Sequence, residues 1–265
     1  MMSKQASSPT SQDGGAGVAL VTGGARRIGR AIALALARDG WDIALHFHHS
    51  GAEAEAAVAE IAALGRRAVA LGCDLASEAE VRQLLPRAEQ ALGPVGCVVN
   101  NASVFDYDSA ADFSGARLEA HMRTNLSAPI LLAQALHAAT PPGRQAVVIN
   151  LLDQKLYNLN PDFLSYTLSK AALHTATTLL AQALAPKVRV VGIAPGITLV
   201  SGAQSEAGFA KAHQATPLGR SSTPQDVADS VCYVARARAL TGTTLLVDGG
   251  QHLTPLERDV MFVAQ

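Results

Sequence analysis

The feature that most constrains this chain is a regular alternation of short apolar runs with longer amphipathic stretches. Apolar runs at 18–21, 42–47, 68–71, 95–99, 146–151, 188–193 and 244–247 read as buried strands. Between them, 28–38, 52–64, 78–92, 117–138 and 163–184 carry helical patterns. Several runs are continuous in apolar residues, as expected of strands covered on both faces. Strands alternating with helices imply a parallel sheet with right-handed crossovers. The expected fold is therefore α/β: a single doubly wound Rossmann domain with a parallel sheet of about seven strands and helices on both faces.

No linker or internal repeat divides the 265 residues, so 17–265 reads as one domain behind a Ser-, Gln- and Gly-bearing leader at 1–16 that is expected to be disordered. Segment 198–220 is the least regular part and carries Gly, Ser and Pro after a strand. In an open α/β sheet such a segment lies at the ligand-binding edge, and it reads as a substrate lid. The tail at 251–265 places Val260, Met261, Phe262 and Val263 in sequence. It can fold over this chain's own lid or over a neighbour's active site.

Charge narrows the partners. With 21 basic against 22 acidic residues, nucleic acid and anionic membrane are poor partners, and a small molecule is expected. No apolar run approaches the roughly 20 residues of a membrane span. Cys73, Cys97 and Cys232 lack CxxC spacing, which suggests neither a disulfide framework nor a zinc site and fits a reduced, cytoplasmic protein.

Thr22-Gly23-Gly24-Ala25-Arg26-Arg27-Ile28-Gly29 lies between the first strand and the first helix. Glycines there let the backbone approach a pyrophosphate, which rests on helix N-terminal amides. Arg27 stands where a middle glycine is expected, adding positive charge beside the phosphates or reaching across to a ligand. The second strand ends in His46-Phe47-His48-His49-Ser50, where an acid would bond a ribose 2′-hydroxyl and favour NAD. None is present. The histidines, Ser50 and Arg26 can instead accept the 2′-phosphate of NADP(H), with Asp74 and Leu75 placed toward the adenine edge. A three-histidine metal site is the weaker reading, because no carboxylate or cysteine adjoins the cluster to complete a ligand set.

Tyr166 and Lys170 are four apart, on one face of a helix. An ammonium near a phenol stabilises the phenolate and lowers its pKa, so the pair can exchange a proton with a carbonyl or imine undergoing hydride transfer. Asp153 stands thirteen residues before the tyrosine. Asn100-Asn101-Ala102-Ser103, Asn125 inside the long helix, and Pro195-Gly196 complete the set.

Together these motifs resemble the short-chain dehydrogenase/reductase family, from Val18 to about Gly250. Most members have serine where Asp153 stands, glycine where Arg27 stands, and NNAG where this chain has Asn100–Ser103 followed by Phe105. These departures look like the pteridine reductases, dihydromonapterin reductases included. That resemblance implies a pterin stacked between nicotinamide and Phe105, with Arg27 and Ser103 contacting the cofactor phosphates and the pterin edge. It also implies that Gly23, Ile28, Gly29, Asn101 and Ala102 line the cofactor site, that Pro195, Gly196 and Thr198 border the nicotinamide, and that Asn125 supports a water-linked proton route behind Lys170. A homotetramer is the family's usual assembly. His49 replaces an arginine common at that strand end, which weakens the grip on a 2′-phosphate above neutral pH.

A pterin presents ring nitrogens and an exocyclic amine, which are donors or require a proton. Asp153 can accept from those donors and, with Tyr166, relay a proton to a ring nitrogen. The alternatives are an NADP-dependent reductase of a 3-oxoacyl or other ketone and, in a different class, a sensor that binds NADP without turnover.

Overall fold

Successive side chains along each strand enter two different cores. In β1 (Gly17–Val21) Ala19 and Val21 face one core while Val18 and Leu20 face the other. In β5 (Ala146–Leu151) Val147, Ile149 and Leu151 face the first, and Ala146 and Val148 the second. A strand buried on both sides has no polar face to offer, which is why these runs are continuous in apolar residues. The computed structural model describes residues 16–200 and 204–263. All but the last residue of the leader at 1–16 and small parts of the lid (201–203) and tail (264–265) lie outside the described residues.

The remaining strands are β2 (Trp41–Phe47), β3 (Ala68–Gly72), β4 (Val95–Asn100), β6 (Val188–Pro195) and β7 (Thr244–Val247). They form one seven-stranded parallel sheet in the order β3-β2-β1-β4-β5-β6-β7. The seven predicted strands all form, with no end shifted by more than two residues. Helices α1 (Arg27–Arg38), α2 (Gly51–Ala63) and α8 (Pro224–Arg236) supply the first core, and α3 (Glu78–Leu92), α5 (Ala128–Ala139) and α6 (Leu164–Leu184) the second. The order reverses between β1 and β4, and a doubly wound sheet opens its ligand crevice at that point.

The helix expected over 117–138 is not continuous. It divides into α4 (Gly115–Met122), a π-turn at Arg123–Ser127, and α5. Pro129 has no N–H to give the carbonyl of Asn125, and the Ala128 N–H reaches back five residues to the Arg123 carbonyl. The wide turn carries Asn125, consistent with the habit of such bulges to mark functional positions. The segment 198–220 is not wholly irregular either, since it contains α7 (Glu206–Gln214), capped by the Ser205 hydroxyl accepting from the Gly208 N–H. The tail contains a short turn, α9 (Val260–Val263).

Helix α6 starts abruptly. Phe163, its N-cap, has a left-handed backbone with φ of 54° and no capping side chain of its own. Asp108 supplies the cap from a distant loop: Oδ1 accepts from the Ser165 N–H at 2.8 Å and Oδ2 from the Ser165 hydroxyl. A buried carboxylate at a helix N-terminus satisfies orphan amides and complements the helix dipole. Tyr166 follows directly, so its position is fixed by this start.

Candidate active site

The glycine loop is braced from three sides. The Asn101 side chain donates to the carbonyls of Thr22 (2.9 Å) and Gly23 (3.2 Å), and the Thr22 hydroxyl accepts from the N–H groups of Asn101 and Ala102, both at 3.0 Å. A side chain at Gly29 would fall 2.1 Å from the Gly23 carbonyl, so only glycine lets α1 pack this closely on the loop. His46 forms the third brace, which corrects the expectation that it faces a ribose phosphate. Its ring is buried; Nδ1 accepts from the Gly23 N–H at 3.1 Å, and Nε2, which therefore carries the proton, donates to the Cys73 carbonyl at 3.0 Å. Burial holds the imidazole below its usual pKa and hence neutral.

His48 and His49 point the other way. Their rings lie 3.5 Å apart, and both line a cleft with Gly23, Arg26, Gly29, Phe47 and Ser50. The histidine trio is therefore split between interior and cleft, and among the described residues no three His, Cys, Asp or Glu groups converge as metal ligands. Asp74 and Leu75 do not line this cleft. Leu75 packs in the second core, and Asp74 accepts from the Ala76 N–H at 2.9 Å.

A second cavity continues from the first, and Arg27, Ile28, Asn101 and Ser103 line both. Arg27 has φ of 54°, a left-handed conformation that costs a non-glycine residue about 1–2 kcal/mol. From there its guanidinium donates across the opening to the Val200 carbonyl at 3.0 Å. Arg27 and Phe163, the two non-glycine residues with positive φ among those described, both flank this site, as strained backbone often does.

The second cavity is walled by Phe105, Asp153, Tyr166, Lys170, Pro195, Gly196 and Thr198. Asp153 accepts from the Lys155 N–H at Oδ1 (2.8 Å) and from the Tyr166 hydroxyl at Oδ2 (2.7 Å). Lys170 Nζ donates to the Leu151 carbonyl at 2.7 Å and lies 5.8 Å from the Tyr166 ring centre. The sequence pattern puts a phenolate beside an ammonium, but here the phenol answers to the aspartate. Burial first, then the adjacent Asp153 carboxylate, push Tyr166 well above the usual phenol range. Burial also raises Asp153 and lowers Lys170 to about 8, each against the pull of its partner's charge. The arrangement is a proton-holding phenol–carboxyl pair beside a lysine that titrates near neutrality.

Asn125 does not touch Lys170. Its carbonyl oxygen accepts from the Val104 N–H at 2.8 Å, and its amide donates to the Val104 carbonyl (3.0 Å) and the Ser169 hydroxyl (2.9 Å). It ties the loop after β4, which bears Ser103 and Phe105, to α6. Phe105 stacks on Phe163 with ring centres 4.4 Å apart and meets the Tyr166 ring edge-on at 4.6 Å, while 39% of it remains exposed. The Thr198 hydroxyl donates to the Gly196 carbonyl and pairs with Ser222, both at 2.8 Å.

Residues that no motif announces complete the wall: Gln154, Lys155, Gln204, Gln251, Asp259 and Met261. The tail folds over this chain's own cavity. Arg258 grips Asp162 through Nε and Nη2, both at 2.8 Å, and the Phe262 ring meets those of Tyr107 (5.5 Å) and Phe163 (6.2 Å). One sequence signal was available, the Arg258-Asp259 pair directly before the apolar run at 260–263.

The fold agrees with comparisons to known proteins. A family model described as enoyl-(acyl carrier protein) reductase matches residues 23–252. The chain belongs to the short-chain dehydrogenase/reductase family. The crystal structure of FolM alternative dihydrofolate reductase 1 from Brucella canis, complexed with NADP, superposes with a TM-score of 0.87 at 41% identity, covering 91% of this chain and 96% of that one. An uncharacterised oxidoreductase of Methylorubrum extorquens is 33% identical over 88% of this chain and 96% of its own length. The 3-oxoacyl-[acyl-carrier-protein] reductase FabG of Staphylococcus epidermidis is 30% identical over 89% of this chain and 98% of its own length. Among the described residues of this short-chain reductase, no helix is long and apolar enough to cross a membrane.

Proposed function

We propose that this chain is an NADPH-dependent reductase of a pterin, converting a 7,8-dihydropterin to the tetrahydropterin. The observation that carries the reading is the 2.7 Å hydrogen bond from the Tyr166 phenol to Asp153, at a cavity wall that also holds Arg27 and Phe105. A ketone reductase needs a hydroxyl beside its tyrosine to polarise an oxygen. An acid there suits a ring nitrogen, which must gain a proton while the adjacent carbon gains hydride.

The cleft fits a dinucleotide: it has a loop that only glycines permit to pack, backbone amides at a helix start, and Arg26, His48, His49 and Ser50 at the 2′-phosphate end, with Glu53 paired to Arg26 at 3.6 Å and not lining the cleft. Bound there, NADPH would supply the hydride. Tyr166 and Asp153 hold the proton that goes to N5 of the dihydropterin, while Lys170 supports the pair with its charge. Phe105, stiffened by Phe163, offers an aromatic surface to a flat heterocycle. Arg27 and Ser103, shared by both cavities, meet the cofactor phosphates and the substrate edge. Asn125 acts indirectly, by fixing Val104 against α6. The relationship to the Brucella canis FolM protein supports the pterin reading, and that to the FabG protein supports a 3-oxoacyl thioester.

The test is loss of NADPH absorbance with a 7,8-dihydropterin, beside NADH and an acetoacetyl thioester, in the wild type and in Asp153→Ser. The pterin reading expects NADPH-dependent turnover of the dihydropterin that Asp153→Ser impairs with NADPH affinity nearly unchanged. Turnover of the thioester alone would make the enzyme a ketoreductase.

A further inference from the structure

The tail delivers a second acid to the cavity that holds Asp153. Asp259 lines the same wall, and its Oδ2 accepts from Lys155 Nζ at 3.0 Å, with the two side chains only 14% and 4% exposed. Its backbone N–H donates to Asp162 Oδ2 at 2.7 Å, and its Oδ1 accepts from the Met261 N–H at 3.1 Å. Lys155 Nζ also donates to the Asp162 carbonyl at 2.7 Å. The same Lys155 presents its backbone N–H to Asp153 Oδ1. One residue therefore grips both acids, Asp153 through its main chain and Asp259 through its ammonium.

We propose that Asp259 is a positioning residue: by holding Lys155, it fixes the turn that orients the Asp153 carboxylate toward the Tyr166 hydroxyl. The inference rests on Asp153 and Tyr166 delivering the proton, as proposed above, and not on which substrate receives it. Without Asp259 the buried Lys155 ammonium loses its ion-pair partner, and the turn beginning at Gln154 loses the tie from the Lys155 side chain to the tail, leaving that of the Asn158 amide to the Thr254 carbonyl. Charge acts in the same direction as geometry. The groups facing Asp153 are Tyr166 and Lys170 from α6, Lys155 from its own turn, and Asp259 from the tail. Burial is the largest influence raising Asp153 and Tyr166, and Asp259 pushes both further up, whereas Lys170 draws Asp153 down. Asp259 thus helps the pair to keep its proton.

The test compares wild type, Asp259→Asn and Asp259→Glu as NADPH-loaded enzymes. Asp259→Asn should lower kcat on the order of tenfold without weakening NADPH binding, and activity should be lost at a lower pH than in wild type as pH rises. Asp259→Glu should recover most of kcat and the wild-type pH course. Infrared titration gives a readout that needs no turnover: the protonated-carboxyl band of Asp153, assigned by its loss in Asp153→Asn, should vanish at lower pH in Asp259→Asn. An unchanged kcat and pH course, or a loss of kcat with no movement of the titration, would overturn the proposal. So would the absence of any Asp153 acid band in the wild type. If the wild type turns over the thioester and not the dihydropterin, the pterin reading fails and the same comparison is run on the thioester, so the two failures stay distinct.

Discussion

Around the glycine loop, the charged and imidazole side chains of Arg26, His48 and His49 stand exposed at the cleft, while the loop's shape is set by main-chain contacts, Asn101 and the buried His46. Around Tyr166 the reverse holds: Asp108, Tyr166, Lys170 and Lys155 are all less than a tenth exposed, and each has a specific hydrogen-bond partner. Exposed charges near high-dielectric solvent contribute little singly and are screened by salt. Buried groups are worth far more and fail badly when a partner is removed. The nucleotide half should therefore change by degrees under substitution, and the Tyr166 half by steps.

Four measurements sharpen or break that contrast. The largest effect expected is from Tyr166→Phe, which removes the hydroxyl and leaves Asp153 Oδ2 without its partner. Its kcat should fall by roughly 10²–10⁴, and turnover within tenfold of wild type would take the proton away from this phenol. Next comes pH. Lys170 is lowered to about 8 by burial, so it is charged below that value and neutral above. The free-enzyme profile of kcat/KM should fall as pH rises through about 8, steepening toward tenfold per pH unit. A flat profile to pH 10 would show that the lysine charge is not required.

Asp108→Ala should cost about 1–3 kcal/mol, because Asp108 caps α6 and satisfies Ser165 from a fully buried position. That corresponds to several degrees of Tm for a chain of this size, and a Tm within one degree of wild type would show that α6 starts well without it. The smallest effect belongs to the nucleotide half. His49→Arg should tighten NADPH binding a few-fold by adding a permanent charge at an exposed position. That gain should shrink as salt rises from 50 to 500 mM. A large or salt-insensitive gain would mean that this end is as tightly organised as the Tyr166 half, and the contrast would fail.

Much of the fold was legible because strand and helix periodicities are local. Seven apolar runs became seven strands, and the glycines, Asn101 and the Tyr166–Lys170 spacing landed around one cleft. The misses have separate causes. His46 and His49 look equivalent in sequence, but the first side chain turns into the interior and the second toward the cleft. The helix expected over 117–138 breaks because Pro129 withholds one hydrogen bond four residues away from Asn125. Asn125 itself carries the expected polar amide but spends it on Val104 and Ser169.

By itself the sequence determined the layer architecture and the residue types gathered around the cleft, since each follows from patterns within about twenty residues, whereas the β1/β4 switch appears only in the folded strand order. Only the tertiary structure decided which charge governs Tyr166, what caps α6, and which carboxylate the tail brings in. Asp108 and Ser165 are fifty-seven residues apart, and Lys155 and Asp259 one hundred and four. Interactions at such separations leave no periodic trace in a sequence. They depend on how buried charges find partners once the chain has closed, and burial makes those pairings decisive.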